Sequence, residues 1–226
     1  MNHVLDNPAW NALTSGNSNL ANGNETVKHF AKEVSPFVGF KETSDESFQT
    51  LYELITHDNP VVFIASQETE IPTQWQVLRY IKCLQMIADD RREIADSSIE
   101  LVLLTNEHIP QMLALTKLTN PGPFAERTID FGHYRGIFDG DKLIAMAGQR
   151  MNPEPYAEIS AVCTHPDYLG RGHAARLLLY HIERIKATGG IPYLNVLTEN
   201  ARAIAVYESL GFVTRKQMPI YTIHKK

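Results

Sequence analysis

The segment Leu169-Gly170-Arg171-Gly172-His173-Ala174 constrains this chain more than any other. A strand-like run from Glu158 to Thr164 enters it, and a helix-like run from Ala174 to Lys186 leaves it. Two glycines permit a tight backbone bend, so that successive N–H groups and the unpaired donors of a helix's first turn converge on one anion. The segment reads as a phosphate cradle. Two other glycine-loop chemistries do not fit. A P-loop needs Gly-Lys-Ser or Gly-Lys-Thr at the helix start, where this chain has Gly172-His173-Ala174. A dinucleotide fingerprint needs a third glycine, and Gly172 is followed by Arg176 and Leu177 without one.

Further on comes Asn200-Ala201-Arg202-Ala203-Ile204-Ala205-Val206-Tyr207-Glu208-Ser209-Leu210-Gly211-Phe212. Strand, glycine loop, amphipathic helix, second strand and this Asn…Tyr…Gly-Phe ending together resemble the core of the GNAT superfamily of acetyl-coenzyme A dependent N-acetyltransferases. The resemblance covers roughly residues 99 to 226. Within it, Pro121-Gly122-Pro123-Phe124, Ala145-Met146-Ala147-Gly148 and the run from Glu158 to Pro166 are most similar to the FR47-like branch. Leu169 departs from the Gln or Arg common in the family, at a position expected to meet phosphate through its backbone. The resemblance implies an α/β (α+β) fold of GNAT type: a mixed central sheet with a splayed strand pair and flanking helices. To this the chain adds a smaller N-terminal α/β subdomain, giving an expected division into residues 1–98 and 99–226.

Charge divides along the same line. Residues 1 to 100 hold seven Lys or Arg against fifteen Asp or Glu, and the remainder holds fourteen against eleven, so a polyanionic ligand belongs to the C-terminal half. No basic stripe with interleaved aromatics is present, which argues against nucleic acid as a partner. Cys83 and Cys163 stand in no ligand spacing, and free thiols in a reducing compartment are expected. Neither a leader-like N-terminus nor a run of eighteen apolar residues occurs, so the expectation is a cytoplasmic protein without membrane association. No metal cluster is visible and none is expected.

Residues 11 to 25, rich in Asn, Ser and Gly, read as a mobile surface segment, with Trp10 expected to pack against something. A strand at Phe37–Phe40, a helix from Asp45 to Thr56 and a strand from Pro60 to Ala65 suggest a β-α-β order. Trp75 to Ile87 fits both periods, with strand preferred, and Arg91 to Ser98 reads as a linker. Then follow a strand at Ile99–Leu104, a helix opening near Pro110 and ending near Lys117, and a hairpin of Tyr134–Phe138 with Leu143–Met151 about Asp139-Gly140-Asp141. Strands at Ala157–Thr164 and Tyr193–Leu197, a helix at Ala201–Leu210 and a closing pair, Val213–Lys216 with Tyr221–His224, complete the order. The similar succession in both halves hints at a degenerate duplication.

The resemblance assigns roles residue by residue. Pyrophosphate would lie on the N–H groups of Leu169, Gly170, Arg171, Gly172, His173 and Ala174, aided by the Arg171 charge and the helix dipole. The backbone of Val162, Cys163 and Thr164 would pair with pantetheine as an added strand, and the Val162 N–H would stabilise an oxyanion. Asn200 would hold the pantetheine arm beside Ala203. Tyr207 would protonate the departing thiolate, which a phenol of reference pKa about 10 can do at neutral pH. Glu158, acidic in an apolar strand, is the expected general base; the competing reading pairs it with Arg150 across the hairpin or turns it to solvent. His165 is a weaker alternative base, and Arg127 could meet a substrate carboxylate. Cys163 lacks an activating partner, so direct transfer is expected rather than an acyl-enzyme. The acceptor pocket is expected among the helix after Ile99, the Pro121–Arg127 loop and the strands around Tyr134 and Gln149, where Phe124, Phe131 and Met146 also fall.

The expected activity is transfer of acetyl from acetyl-CoA to a primary amine of a small molecule or peptide. An acyltransferase using a longer acyl-CoA or a glycine-like acceptor, and a non-catalytic CoA-binding sensor, are the alternatives. The N-terminal hundred residues could form half of the acceptor pocket, a homodimer surface or a decayed second transferase unit.

Overall fold

Apolar residues alternate or run continuously through most of the chain, and in the computed structural model, which describes residues 3–88 and 100–226, they build one mixed sheet. In chain order the elements are α1 (Pro8–Leu13), β1 (Ala21–Gly23), β2 (Val27–Phe30), β3 (Phe37–Phe40), α2 (Asp45–Leu54), β4 (Val61–Ile64) and β5 (Trp75–Ala88). There follow β6 (Val102–Leu103), α3 (Ile109–Thr119), β7 (Arg135–Asp139), β8 (Lys142–Gln149), β9 (Tyr156–Thr164), α4 (His173–Ala187), β10 (Ile191–Leu197), α5 (Ala201–Ser209) and β11 (Phe212–Lys225). Their order across the sheet is β1-β2-β3-β4-β11-β5-β10-β9-β8-β7-β6.

That order contains a reciprocal exchange. Each half has a parallel pair joined through a helix, β3 with β4 through α2 and β9 with β10 through α4. Yet β4 pairs with β11, and β10 pairs with β5, so each half's last long strand lies beside the other half's parallel pair. The two exchanged strands then pair with each other along their whole length, from Phe212 opposite Ala88 to Lys225 opposite Trp75. Apolar packing is continuous across the halves: Phe30, Phe37 and Cys83 share a buried cluster with Phe131, Met151 and Met218.

Three expectations need correction. Residues 11–25 are not a loose surface segment: α1, a 3-10 turn at Ser18–Leu20 and β1 occupy much of the stretch, and Asn17 is buried with its Oδ1 accepting from the Asn152 N–H at 2.7 Å. Gly39 lets α1 approach this closely, since a Cβ there would lie 2.4 Å from the Trp10 nitrogen. The closing pair of strands is one strand, β11, because Pro219 falls where β4 ends. Its carbonyl accepts from the Ala65 N–H at 2.9 Å, so its missing donor also faces that end and interrupts no pairing with β5. The strand expected at Ile99–Leu104 is described only as Val102–Leu103. The expected linker Arg91–Ser98, with the boundary at 98/99, lies outside the described residues.

Candidate active site

The parallel pairing of β9 with β10 runs only from Ile191 opposite Tyr156 to Tyr193 opposite Glu158. Beyond that point β9 continues to Thr164 and β10 to Leu197 without pairing to each other, so the two strands part. A β-bulge sits on the open stretch. Pairing with β8 passes from Cys163 opposite Met146 to Ser160 opposite Gly148, leaving Ala161 and Val162 sharing one position. Ala161 carries the distortion at φ +53°, a left-handed conformation that costs an alanine about 1–2 kcal/mol. The backbone around Val162 is thereby freed on the β10 side, as an added extended chain requires.

β9 leads directly to the glycine loop. Gly170 and Gly172 take φ +78° and +80°, and a Cβ at either would meet nothing within 4 Å, so the bend opens on free space. Gly172 is the N-cap of α4 and provides no side-chain cap; the Arg176 N–H is bonded to the Gly172 carbonyl. Among the described residues, the N–H groups of Gly170 to Ala174 donate to no backbone carbonyl. Both ring nitrogens of His173 and the Thr164 Oγ1 are buried without partners, one at each end of the loop. The space, the donors and these orphaned polar atoms fit a phosphate-bearing ligand entering between the strands. The Arg171 side chain stacks 4.9 Å from the Tyr168 ring and donates to the Asp167 carbonyl, while the Leu169 side chain is exposed.

α4 is seated by Leu177, Leu178, His181, Ile182 and Ile185, its buried stripe at helical spacing. α5 packs on β11, and Ala203, Tyr207 and Val162 join one apolar cluster with Ile159, Leu194 and Phe212. Asn200 is the N-cap of α5, its Oδ1 accepting from the Ala203 N–H at 3.1 Å. Tyr207 meets the Phe212 ring edge-on at 5.9 Å, and burial pushes its phenol up to about 12. It therefore holds its proton at neutral pH.

The opposite face of β9 has different chemistry. Glu158, 1% exposed, receives Arg150 Nε at 2.9 Å and Nη2 at 2.7 Å, Asn195 Nδ2 at 2.8 Å and the Met151 N–H at 3.4 Å. Four donors match the four acceptor sites of a carboxylate. Arg150 in turn lies 4.5 Å from the Phe37 ring centre. Burial works against the guanidinium charge, but the Glu158 carboxylate outweighs it and leaves the Arg150 pKa raised. Of the two readings open for Glu158, the geometry is that of the pair with Arg150, extended to Asn195, a residue whose part in the cluster sequence reasoning missed. Only the strand pairing, which sets Tyr193 opposite Glu158 and so Asn195 two residues on along the same face, brings it there.

Cys163 is buried on the same face among Met112, Tyr134 and Met146, and burial pushes its thiol up to about 11. Cys83 is likewise pushed up to about 11 by burial. Tyr134 is fully buried, its hydroxyl unpartnered and its ring 2.4 Å from where a Gly148 Cβ would stand. His165 caps the turn after β9, its Nδ1 accepting from the Asp167 N–H at 3.3 Å. Arg127 pairs with Asp130 at 2.7 Å. The sheet thus has one face with α4, α5 and Tyr207 and a second face with Glu158, Cys163 and α3. Among the described residues no group of three or more His, Cys, Asp or Glu is arranged to hold a metal, and no helix is long and apolar enough to cross a membrane.

Comparison with known proteins agrees with this geometry. Residues 105–212 match the Acetyltransferase (GNAT) family. A crystal structure of a protein assigned to the GNAT family of acetyltransferases, from Novosphingobium aromaticivorans, is 35% identical with a TM-score of 0.91, over 100% of both chains. A GCN5-related N-acetyltransferase from Kribbella flavida shares the fold over 95% of both chains, with a TM-score of 0.63 at 11% identity. N-alpha-acetyltransferase RimI of Mycobacterium tuberculosis is 39% identical over 84 residues, 35% of this chain and 51% of that protein. The match thus spans about half the length of that curated relative.

Proposed function

The chain belongs to the GNAT family of acetyltransferases, and from that premise we propose that it moves an acetyl group from acetyl-CoA directly to a primary amine of a small molecule or peptide. The observation that carries the reading is the parting of β9 from β10 immediately before a glycine loop with unspent donors. Acetyl-CoA supplies an acyl group already activated as a thioester. The N–H groups from Gly170 to Ala174 hold its pyrophosphate, with the positive end of α4 behind them. The freed backbone of Val162 to Thr164 aligns the pantetheine, and the Val162 N–H donates to the acyl oxygen as it gains charge.

Tyr207 is the proposed acid. A phenol raised to about 12 is protonated at neutral pH and donates a hydrogen bond to the developing thiolate; against a reference thiol pKa of about 8.5 that bond, rather than complete proton transfer, stabilises the leaving sulfur. Cys163, held protonated by burial, is unsuited to attack, which supports direct transfer. We assign Glu158 a positioning role: its occupied carboxylate ties β8, β9 and β10 at the point of parting, and the amine's proton leaves through water. A cytoplasmic location belongs to the same reading, supported by two thiols with no disulfide.

The test is release of free CoA thiol from acetyl-CoA against amino acids, polyamines, aminoglycosides and peptide N-termini, with Tyr207→Phe run beside the wild type. The expected outcome is amine-dependent release that falls in the variant by on the order of 10²–10⁴-fold, with acetyl-CoA affinity unchanged. Binding without release by any amine would instead describe a sensor, and no binding at all would remove the cofactor.

A further inference from the structure

Away from the parted strands, a cavity of about 230 Å³ lies where the N-terminal half meets the Pro123–Ala125 loop. Its body is apolar, made by Phe30, Val38, Ile55, Val61 and Phe124. In its polar lining His29, Lys32 and His57 supply nitrogen donors, Ser35 and Asn59 are neutral, and no carboxylate is present. Glu33, which is not in the lining, pairs with Lys32 at 3.9 Å through two half-exposed side chains.

The two imidazoles are oriented by their own neighbourhoods. His57 Nδ1 accepts from the Asn59 N–H at 3.2 Å, so the ring's proton resides on Nε2, which remains a donor. His29 Nδ1 lies 2.9 Å from the Phe30 carbonyl and must donate to it. Partial burial lowers the His57 pKa first, and the Lys32 charge and His29 lower it further, with Glu33 opposing weakly. The cavity lining thus holds the Lys32 charge and a donor, while the Glu33 carboxylate that meets Lys32 lies outside the lining. The cavity is smaller than a site for a drug-sized ligand, which suits a compact one.

We propose that this cavity binds a small organic carboxylate, with the carboxylate held by Lys32 and His57 and a short apolar or aromatic body against Phe30, Val61 and Phe124. The site is distinct from the acetyl-CoA cradle and does not depend on catalysis. Phe124 joins it to the second face of the sheet, since its ring stands edge-on to Tyr134 at 5.8 Å, within the cluster that buries Cys163.

The test is calorimetric titration of the full chain with benzoate, benzamide and inorganic phosphate, repeated on Lys32→Gln and His57→Gln. Lys32 is exposed, so its variant folds as the wild type does and keeps the test valid if the His57 variant does not. Saturable benzoate binding is expected, with benzamide and the Lys32 variant each about tenfold weaker, the loss of one charge-assisted hydrogen bond. Phosphate, lacking the apolar body, is expected to bind more weakly than benzoate. Equal affinity for benzamide, phosphate as tight as benzoate, unchanged affinity in the Lys32 variant, or no saturation by benzoate would each overturn the assignment.

Discussion

Replacing Glu158 by Gln would leave the Arg150 guanidinium buried against Phe37 with no anion, because the bidentate pair at 2.9 and 2.7 Å is the only ion pair either residue makes among the described residues. Breaking such a pair from one side costs about 3–5 kcal/mol, a large share of an ordinary domain's stability. Glu158→Gln is therefore expected to lower the melting temperature markedly, and the double variant with Arg150→Met to recover part of the loss. The pH dependence of turnover separates positioning from base chemistry. If Glu158 positions the strands, the acidic limb of the rate profile survives in the Gln variant at temperatures where it is folded. Loss of that limb would return Glu158 to the role of base.

At the scale of the element, α4 carries both the glycine-loop donors at its start and a buried histidine in its middle. His181 is fully buried beneath the helix, and neither ring nitrogen reaches hydrogen-bonding geometry, although the Ala147 backbone lies near enough to favour the charged ring slightly. Burial, followed by the charges of Arg184, His133 and Arg135, lowers its pKa from 6.5 to about 4. The unfolded chain takes up this proton below pH 6.5 and the folded chain only near 4, so stability is present above 6.5 and is lost as pH falls through that window. The shift is worth about 3 kcal/mol. Denaturant midpoints measured from pH 7 to 4 are expected to fall, and His181→Leu to flatten the fall by that amount. His3, His57 and His133 are depressed in the same direction and account for the residual slope. α4 was legible in the sequence because its glycines, apolar stripe and terminal Arg184 and Lys186 agree with one another. α1 was not, since Pro8-Ala9-Trp10 supplies a helix start but the following Asn, Ser and Gly owe their order to distant partners such as Asn152. Asn195 was unreadable for the same reason: in a strand of Tyr193, Leu194 and Val196 nothing local marks a residue whose amide donates to Glu158.

For the whole molecule, the exchange of β5 and β11 determines what can fold alone. A division at residues 98/99 reads naturally from charge and from the family resemblance, which covers the C-terminal part. In the sheet, however, β5 from the first part lies between β10 and β11 of the second. Removing residues 1–98 would take the antiparallel partner from both strands at once and delete Leu84, Met86 and Ala88, exposing Phe212, Leu194 and Val196, which they cover. It would also strip the Phe37 ring from Arg150 and uncover two long unpaired edges, the arrangement that invites aggregation. Residues 99–226 produced alone are thus expected to be insoluble or molten by near-ultraviolet circular dichroism, despite containing the glycine loop, Asn200 and Tyr207. Co-production with residues 1–98 as a separate chain is expected to restore a soluble complex, because the contacts between the parts are strand pairings and packing rather than covalent continuity. A C-terminal fragment that folds cooperatively by itself and binds acetyl-CoA would show that β5 is dispensable, and would make the N-terminal part an accessory to the site instead of a component of its sheet.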